Sequence, residues 1–165
     1  MVDAQSENTP LSAPSESTIR HEYKADTPAR IYLVDDHKGF LDALKGAFGM
    51  IEDYDVVLDA NSYADAVRQI EEGQFDDASP NVLLFDGRLE NNTSSVELVK
   101  LLIKKGVKLP IVVLTAEEEI NLKEQYKTGE GQPIPFKHIP KGTSFDDTLA
   151  AIKEARDKFA EEYAA

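Results

Sequence analysis

Five short apolar runs recur along this chain, and helix-period stretches separate them. The runs are RIYLV at 30–34, DVVL at 55–58, NVLLF at 81–85, LPIVVL at 109–114 and IPFKHI at 134–139. Runs of that length suit strands better than helices. Their near-continuous apolar character is what strands need when both faces of their sheet are covered. Between them, apolar residues recur three and four apart, as in Phe40, Leu41, Leu44, Ala47 and Phe48, or Phe145, Leu149, Ile152, Phe159 and Tyr163. Strands alternating with helices predict an α/β fold, a doubly wound five-stranded parallel sheet with helices on both faces.

Local signals bound the helices. Lys38–Met50 forms the first. Ser62 caps a helix over 63–72 and Gly73 stops it. Ser94 or Ser95 caps the next, over 96–105, whose two terminal lysines suit a helix C-terminus. A weak helix is expected over 117–127, and Ser144 with Asp147 three residues on opens the last. The stretch from Glu71 to Pro80 reads as a polar insertion. Pro133 and Pro135 make the fifth strand irregular and place it at an edge.

Residues 1–29 differ from the rest. They hold three prolines, many Ser and Thr, and apolar residues in no regular period. Such a segment cannot bury enough surface to offset its ordering entropy. It is expected to be a flexible tail, with one folded domain over 30–165. The chain has no cysteine, which excludes disulfides, thiolate catalysis and cysteine–zinc sites. Its net charge of −13 opposes binding to phosphate backbones, so no nucleic-acid partner is expected. A polar N-terminus and the lack of a long apolar run argue for a cytoplasmic protein without a membrane partner.

In doubly wound sheets, ligands bind at the carboxyl ends of the strands. The first strand ends at Asp35 and Asp36, the third at Asp86, the fourth at Thr115, and Lys141 follows the fifth. Each residue alone has a plain explanation: Asp35 or Asp36 capping the next helix, Asp86 turning before Gly87, Thr115 capping, Lys141 on the surface. Together they put three carboxylates, an ammonium and a hydroxyl on one rim. Carboxylates so placed need a cation, and oxygen ligands select a hard one, Mg²⁺ or Mn²⁺.

The segments IYLVDDH, NVLLFDGRL, IVVLTA and HIPKG resemble the receiver domain of two-component response regulators, over about residues 30 to 160. The resemblance implies a flavodoxin-like fold with strand order 2-1-3-4-5. It implies that Asp86 is the phosphoacceptor, and that Asp36, Asp86 and the backbone carbonyl of Arg88 hold Mg²⁺, with Asp35 acting partly through water. Thr115 would contact the phosphoryl group and Lys141 would pair with it. The partner would be a sensor histidine kinase or histidine phosphotransfer protein. The protein would then not be a conventional enzyme, but would catalyse its own phosphorylation and slow dephosphorylation. With no room for an output domain after the last helix, a stand-alone receiver, or a fragment cut at the domain edge, is expected, one that signals, shuttles phosphate or acts as a phosphate sink.

Several positions depart from the family pattern. Glu90 and Ser94 stand where Pro and Gly are usual. His138 occupies the place of the switch aromatic. Pro140 precedes Lys141 instead of following it. Arg88 and Glu117, two residues after Asp86 and Thr115, hold positions that modulate hydrolysis in the family. Two rival functions remain from the residues. One is a phosphorylation-independent protein-binding module. The other is a magnesium-dependent phosphatase, which usually needs an Asp where this chain has Arg88. Phosphate-binding glycine loops are missing, which disfavours a nucleotide enzyme.

Overall fold

The computed structural model describes residues 28–163. The expected tail, residues 1–29, lies almost wholly outside them. Among the described residues the elements run β1 (Ala29–Val34), α1 (Lys38–Phe48), β2 (Tyr54–Ala60), α2 (Tyr63–Glu71), α3 (Gln74–Ala78), β3 (Val82–Asp86), β4 (Arg88–Leu89), β5 (Thr93–Ser94), α4 (Val96–Lys104), β6 (Ile111–Thr115), α5 (Glu119–Gln125), β7 (Lys137–Pro140) and α6 (Phe145–Tyr163). The main sheet has five parallel strands in the order β2-β1-β3-β6-β7, and β4 and β5 form a small antiparallel ladder beside it. This is the flavodoxin-like arrangement. Among the described residues no helix is long and apolar enough to cross a membrane.

The all-apolar strands resolve into two faces, because successive side chains point to opposite sides. Tyr32, Val34, Leu83, Phe85 and Val113 join α2, α3, α4 and α5 through Ile70, Phe75, Leu98, Leu102 and Leu122. Ile31, Leu33, Leu84, Val112 and Leu114 join α1 and α6 through Leu41, Phe48 and Ile152. The two cores clamp the central strands, which fixes the height at which Asp35, Asp86 and Thr115 leave the sheet.

Two expectations need correction, and one alternative reading of the acidic pair falls away. The stretch from Glu71 to Pro80 is not merely a polar insertion: Phe75 on α3 is fully buried and meets Tyr32 edge-on at 5.6 Å. The fifth strand begins at Lys137, not Ile134. Proline nitrogens cannot donate to a ladder, and the Ile134 amide goes instead to the Tyr126 carbonyl at 2.9 Å. Finally, neither Asp35 nor Asp36 caps α1. His37 does, its Nδ1 accepting from the Phe40 amide at 3.1 Å. Ser62 and Ser144 cap as expected, each accepting from an amide three residues on.

Candidate functional site: an acidic rim with one lysine

Asp35 is almost wholly buried at the end of β1, and its Oδ1 accepts from the His37 amide at 2.8 Å. With His37 as the cap, Asp36 is left exposed. Asp86 ends β3 with 6% exposure. One carboxylate oxygen from each of Asp35, Asp36 and Asp86 lies within 4.8 Å of the others. No further group of three His, Cys, Asp or Glu with this spacing occurs among the described residues.

Lys141 answers that charge. Its Nζ stands 3.0 Å from Asp86 Oδ2 and 3.0 Å from Asp35 Oδ2, and 5.0 Å from the centre of the Phe40 ring. Its reach follows from the backbone: the Lys141 amide donates to the Thr115 carbonyl at 3.1 Å, directly beyond the β6–β7 pairing. Burial alone would lower the Lys141 pKa. Hydrogen bonds and attraction from Asp35 and Asp86 outweigh it and hold the ammonium above its ordinary range. Burial, then repulsion from Asp35, pushes the Asp86 carboxyl up from 3.8 to about 7 despite Lys141. One ammonium therefore does not satisfy this rim. The oxygen-only donor set and the surplus negative charge fit a hard divalent cation.

Thr115 and Arg88 flank Asp86. The Thr115 hydroxyl accepts from the Glu117 amide at 3.1 Å, which leaves its own proton to donate. The Arg88 amide points at Asp86 Oδ1 from 3.4 Å, and its guanidinium pairs with Glu117 at 2.8 Å. His138 stays apart. It lies opposite Val113 in the sheet, its Nδ1 is 3.9 Å from Glu119 Oε1, and its buried Nε2 has no hydrogen-bond partner among the described residues.

Four residues support the rim in ways their sequence neighbours do not disclose. Gly87 packs so closely on Thr115 that a Cβ there would lie 2.8 Å from the threonine Cβ. Glu90 closes the acceptor loop onto α2, its carboxylate accepting from the Tyr63 amide at 2.7 and 2.8 Å. Its place in the family's proline position was the available signal, but nothing nearby in sequence names its partner. Ser95 turns inward. It shares a 2.7 Å hydrogen bond with the buried Tyr126 hydroxyl and lies 3.4 Å from the Gly87 carbonyl. This ties α5's end to the loop behind Asp86. Tyr126→Phe should lower unfolding free energy by about 1–2 kcal/mol, the usual cost of an orphaned buried hydroxyl. Urea denaturation of the two proteins checks it, and equal midpoints would discount the link.

Comparison with known proteins places this geometry. The model of the response regulator receiver domain matches residues 31–153. Among solved structures, a CheY-like receiver domain protein from Methanospirillum hungatei JF-1 is 24% identical with a TM-score of 0.62, covering 82% of this chain and 99% of that one. A receiver domain protein from Clostridium thermocellum is 19% identical with a TM-score of 0.60, over 79% and 95%. A DNA-binding response regulator of the LuxR family from Staphylococcus aureus is 15% identical with a TM-score of 0.59, over 78% and 98%. At these identities the structures speak for the fold. No curated protein sequence matches the chain.

Proposed function

This chain belongs to the response regulator receiver domain family, and from that premise we propose that it takes a phosphoryl group onto Asp86 from a phosphohistidine of a sensor histidine kinase or histidine phosphotransfer protein. The observation that carries the reading is Lys141 Nζ at 3.0 Å from the Asp86 carboxylate, inside a rim with more negative charge than that lysine can neutralise.

In the transfer, an Asp86 carboxylate oxygen attacks phosphorus as the phosphorus–nitrogen bond to the donor imidazole breaks. The imidazole leaves with the electron pair, and an acyl phosphate remains. Such a reaction depends on positioning and on charge at the phosphoryl oxygens more than on covalent help from the protein. Lys141, already aimed at Asp86, accompanies one of those oxygens. Thr115 offers its hydroxyl proton to another, and its shift toward the phosphoryl group draws on β6 and the segment from Glu117 to α5. Asp35, Asp36, Asp86 and the Arg88 carbonyl would hold Mg²⁺ or Mn²⁺, which when bound supplies neutralising charge among the carboxylates and the transferred group. The switched form then signals to a protein partner, passes the phosphoryl group on or stores it, in the cytoplasm.

Incubation with a small phosphoramidate donor or a cognate kinase tests this. One phosphoryl group should appear on the wild-type protein, dependent on divalent cation, and none on Asp86→Asn. Label on neither protein, with several active kinases, would leave the binding-module reading in its place. The Arg88–Glu117 pair bears on the lifetime of the acyl phosphate. Linking the residues two beyond Asp86 and two beyond Thr115, it would obstruct a water approaching the phosphorus. Arg88→Ala should therefore shorten the phosphoryl half-life several-fold, read by decay of the labelled protein. An unchanged or longer half-life would count against shielding.

A further inference from the structure

Two peptide units flank Gly87, and each is held at one end. The Gly87 amide donates to the Leu114 carbonyl at 3.0 Å, and the Gly87 carbonyl accepts from the Ser95 amide at 3.1 Å. The far end of the second unit is the Arg88 amide, which points at Asp86 Oδ1 from 3.4 Å. This peptide is trans. A trans peptide is rigid and carries its oxygen and its N–H on opposite edges, so what grips the Gly87 oxygen also aims the Arg88 proton. At 3.4 Å that bond is long, and a small tilt of the plane would break it. Gly87 has no Cβ to restrain such a tilt.

The grip continues inward. Ser95 is fully buried, and its hydroxyl lies 3.4 Å from the same Gly87 carbonyl and 2.7 Å from the Tyr126 hydroxyl. A carbonyl can only accept, so the Ser95 proton goes to Gly87. The Ser95 oxygen then accepts from Tyr126. The last member thus fixes the direction of the chain: Tyr126 to Ser95 to Gly87. Both hydroxyl residues are anchored. The Ser95 carbonyl accepts from the Leu98 amide at 3.0 Å in the first turn of α4. The Tyr126 amide donates to the Leu122 carbonyl at 2.8 Å, and its ring centre is 4.8 Å from that of Phe136. The Tyr126 phenol also registers the rim. Burial lifts its pKa above the ordinary range, the bond to Ser95 lowers it, and the charge of Asp86 raises it further.

We infer that Ser95 and Tyr126 are positioning residues for phosphoryl transfer: their hydroxyl chain sets the tilt of the Gly87–Arg88 peptide and so keeps the Arg88 amide trained on Asp86. The inference rests on Asp86 as the phosphoacceptor. Neither residue touches the phosphoryl group, and each acts through the Gly87 carbonyl. With Oδ1 facing the Arg88 amide and Oδ2 facing Lys141 at 3.0 Å, the carboxylate has one donor on each oxygen and cannot turn about its Cβ–Cγ bond. It then meets the donor's phosphorus in one orientation, the kind of restraint that lowers a barrier by positioning. Hydrogen bonds in a row polarise one another, and no solvent reaches this interior to replace a missing hydroxyl.

Nitrogen-15 spectra of the full chain, unphosphorylated and in chelator at pH 8, test the geometry without any phosphoryl donor. Ser95→Ala should move the Arg88 amide proton upfield as its bond to Asp86 weakens, and should move the Gly87 amide, bonded to Leu114, far less. Tyr126→Phe should act in the same direction but more weakly, because Ser95 keeps a proton for the carbonyl. Placed on top of Ser95→Ala it should add nothing, since the phenol acts through Ser95 alone. The chemistry is read with a small phosphoramidate donor at saturating Mg²⁺. Ser95→Ala should slow maximal uptake several-fold and leave the half-saturating donor concentration unchanged, because Ser95 touches neither donor nor metal. An Arg88 amide that stays in place in both variants, equal effects of Tyr126→Phe with and without the Ser95 hydroxyl, or wild-type uptake in folded Ser95→Ala would each overturn the inference. If Ser95→Ala does not fold, Tyr126→Phe, which keeps the ring, decides by the same shift. Wild-type protein that takes up no phosphoryl group would strike Asp86 as acceptor and with it the role in transfer, while the amide shift would still decide whether the hydroxyl chain sets the peptide.

Discussion

Asp86→Asn should raise the melting temperature of the protein at pH 8 in chelator, by roughly 5–10 °C, while leaving it unchanged near pH 4. The sign follows from the raised pKa of Asp86, about 7 in the folded chain against 3.8 for a free carboxyl. Between those values the folded state keeps a proton that the unfolded state has released. The stability linked to that proton is fully present below pH 4 and is lost as pH rises through 7. Above 7 the carboxylate is charged, buried and beside Asp35. The size of the displacement corresponds to on the order of 2–4 kcal/mol, the lower figure allowing for compensation by Lys141. Asparagine is neutral at every pH and keeps one oxygen, which serves Lys141 or the Arg88 amide but not both. Thermal melts of both proteins from pH 4 to 8 measure the difference. Added Mg²⁺ should narrow the gap at pH 8 by stabilising the wild type alone. Parallel curves across the whole range would mean that the three carboxylates do not oppose one another as their spacing requires.

Gly87→Ala should be the most damaging single methyl addition at the rim. The new Cβ would sit 2.8 Å from Thr115 Cβ and 2.9 Å from its Oγ1, closer than real side chains approach. Thr115 is 3% exposed and its backbone is fixed in β6 between β3 and β7, so it cannot simply withdraw. Gly87 is held too, its amide donating to the Leu114 carbonyl at 3.0 Å. The conflict should cost about 2–4 kcal/mol in urea denaturation. It should also slow phosphoryl uptake at least tenfold in variant protein that remains folded, because the loop carrying Asp86 and the Thr115 hydroxyl must part. Normal uptake at full stability would show that the loop has slack the packing does not reveal.

The glycine illustrates what sequence alone could and could not disclose. The central strands were legible because their runs are apolar at every position, and only doubly covered strands tolerate that. Asp35, Asp36, Asp86, Thr115 and Lys141 were legible because parallel strands bring their carboxyl ends to one side. Contacts that depend on distant chain segments were not. Ser95 reads as a helix cap by its neighbours, yet its hydroxyl goes to Tyr126, 31 residues away. Histidine is an uncommon cap, so His37 lost that role to its acidic neighbours. α3 is five residues long with Phe75 as its one large apolar side chain, too little for any periodicity to register. β7 starts late because two prolines divert the hydrogen bonding that the apolar pattern of Ile134–Phe136 would otherwise support.

Glu90 turns the departure from the family's proline into an asset for spectroscopy. Its carboxylate grips the first amide of α2 from four residues beyond Asp86, with the Ala64 amide a more distant second donor, so any displacement of the acceptor loop must tug on the Tyr63 N–H. The Tyr63 cross-peak in a nitrogen-15 spectrum is therefore a built-in sentinel, able to register events at Asp86 without a dye or an engineered residue.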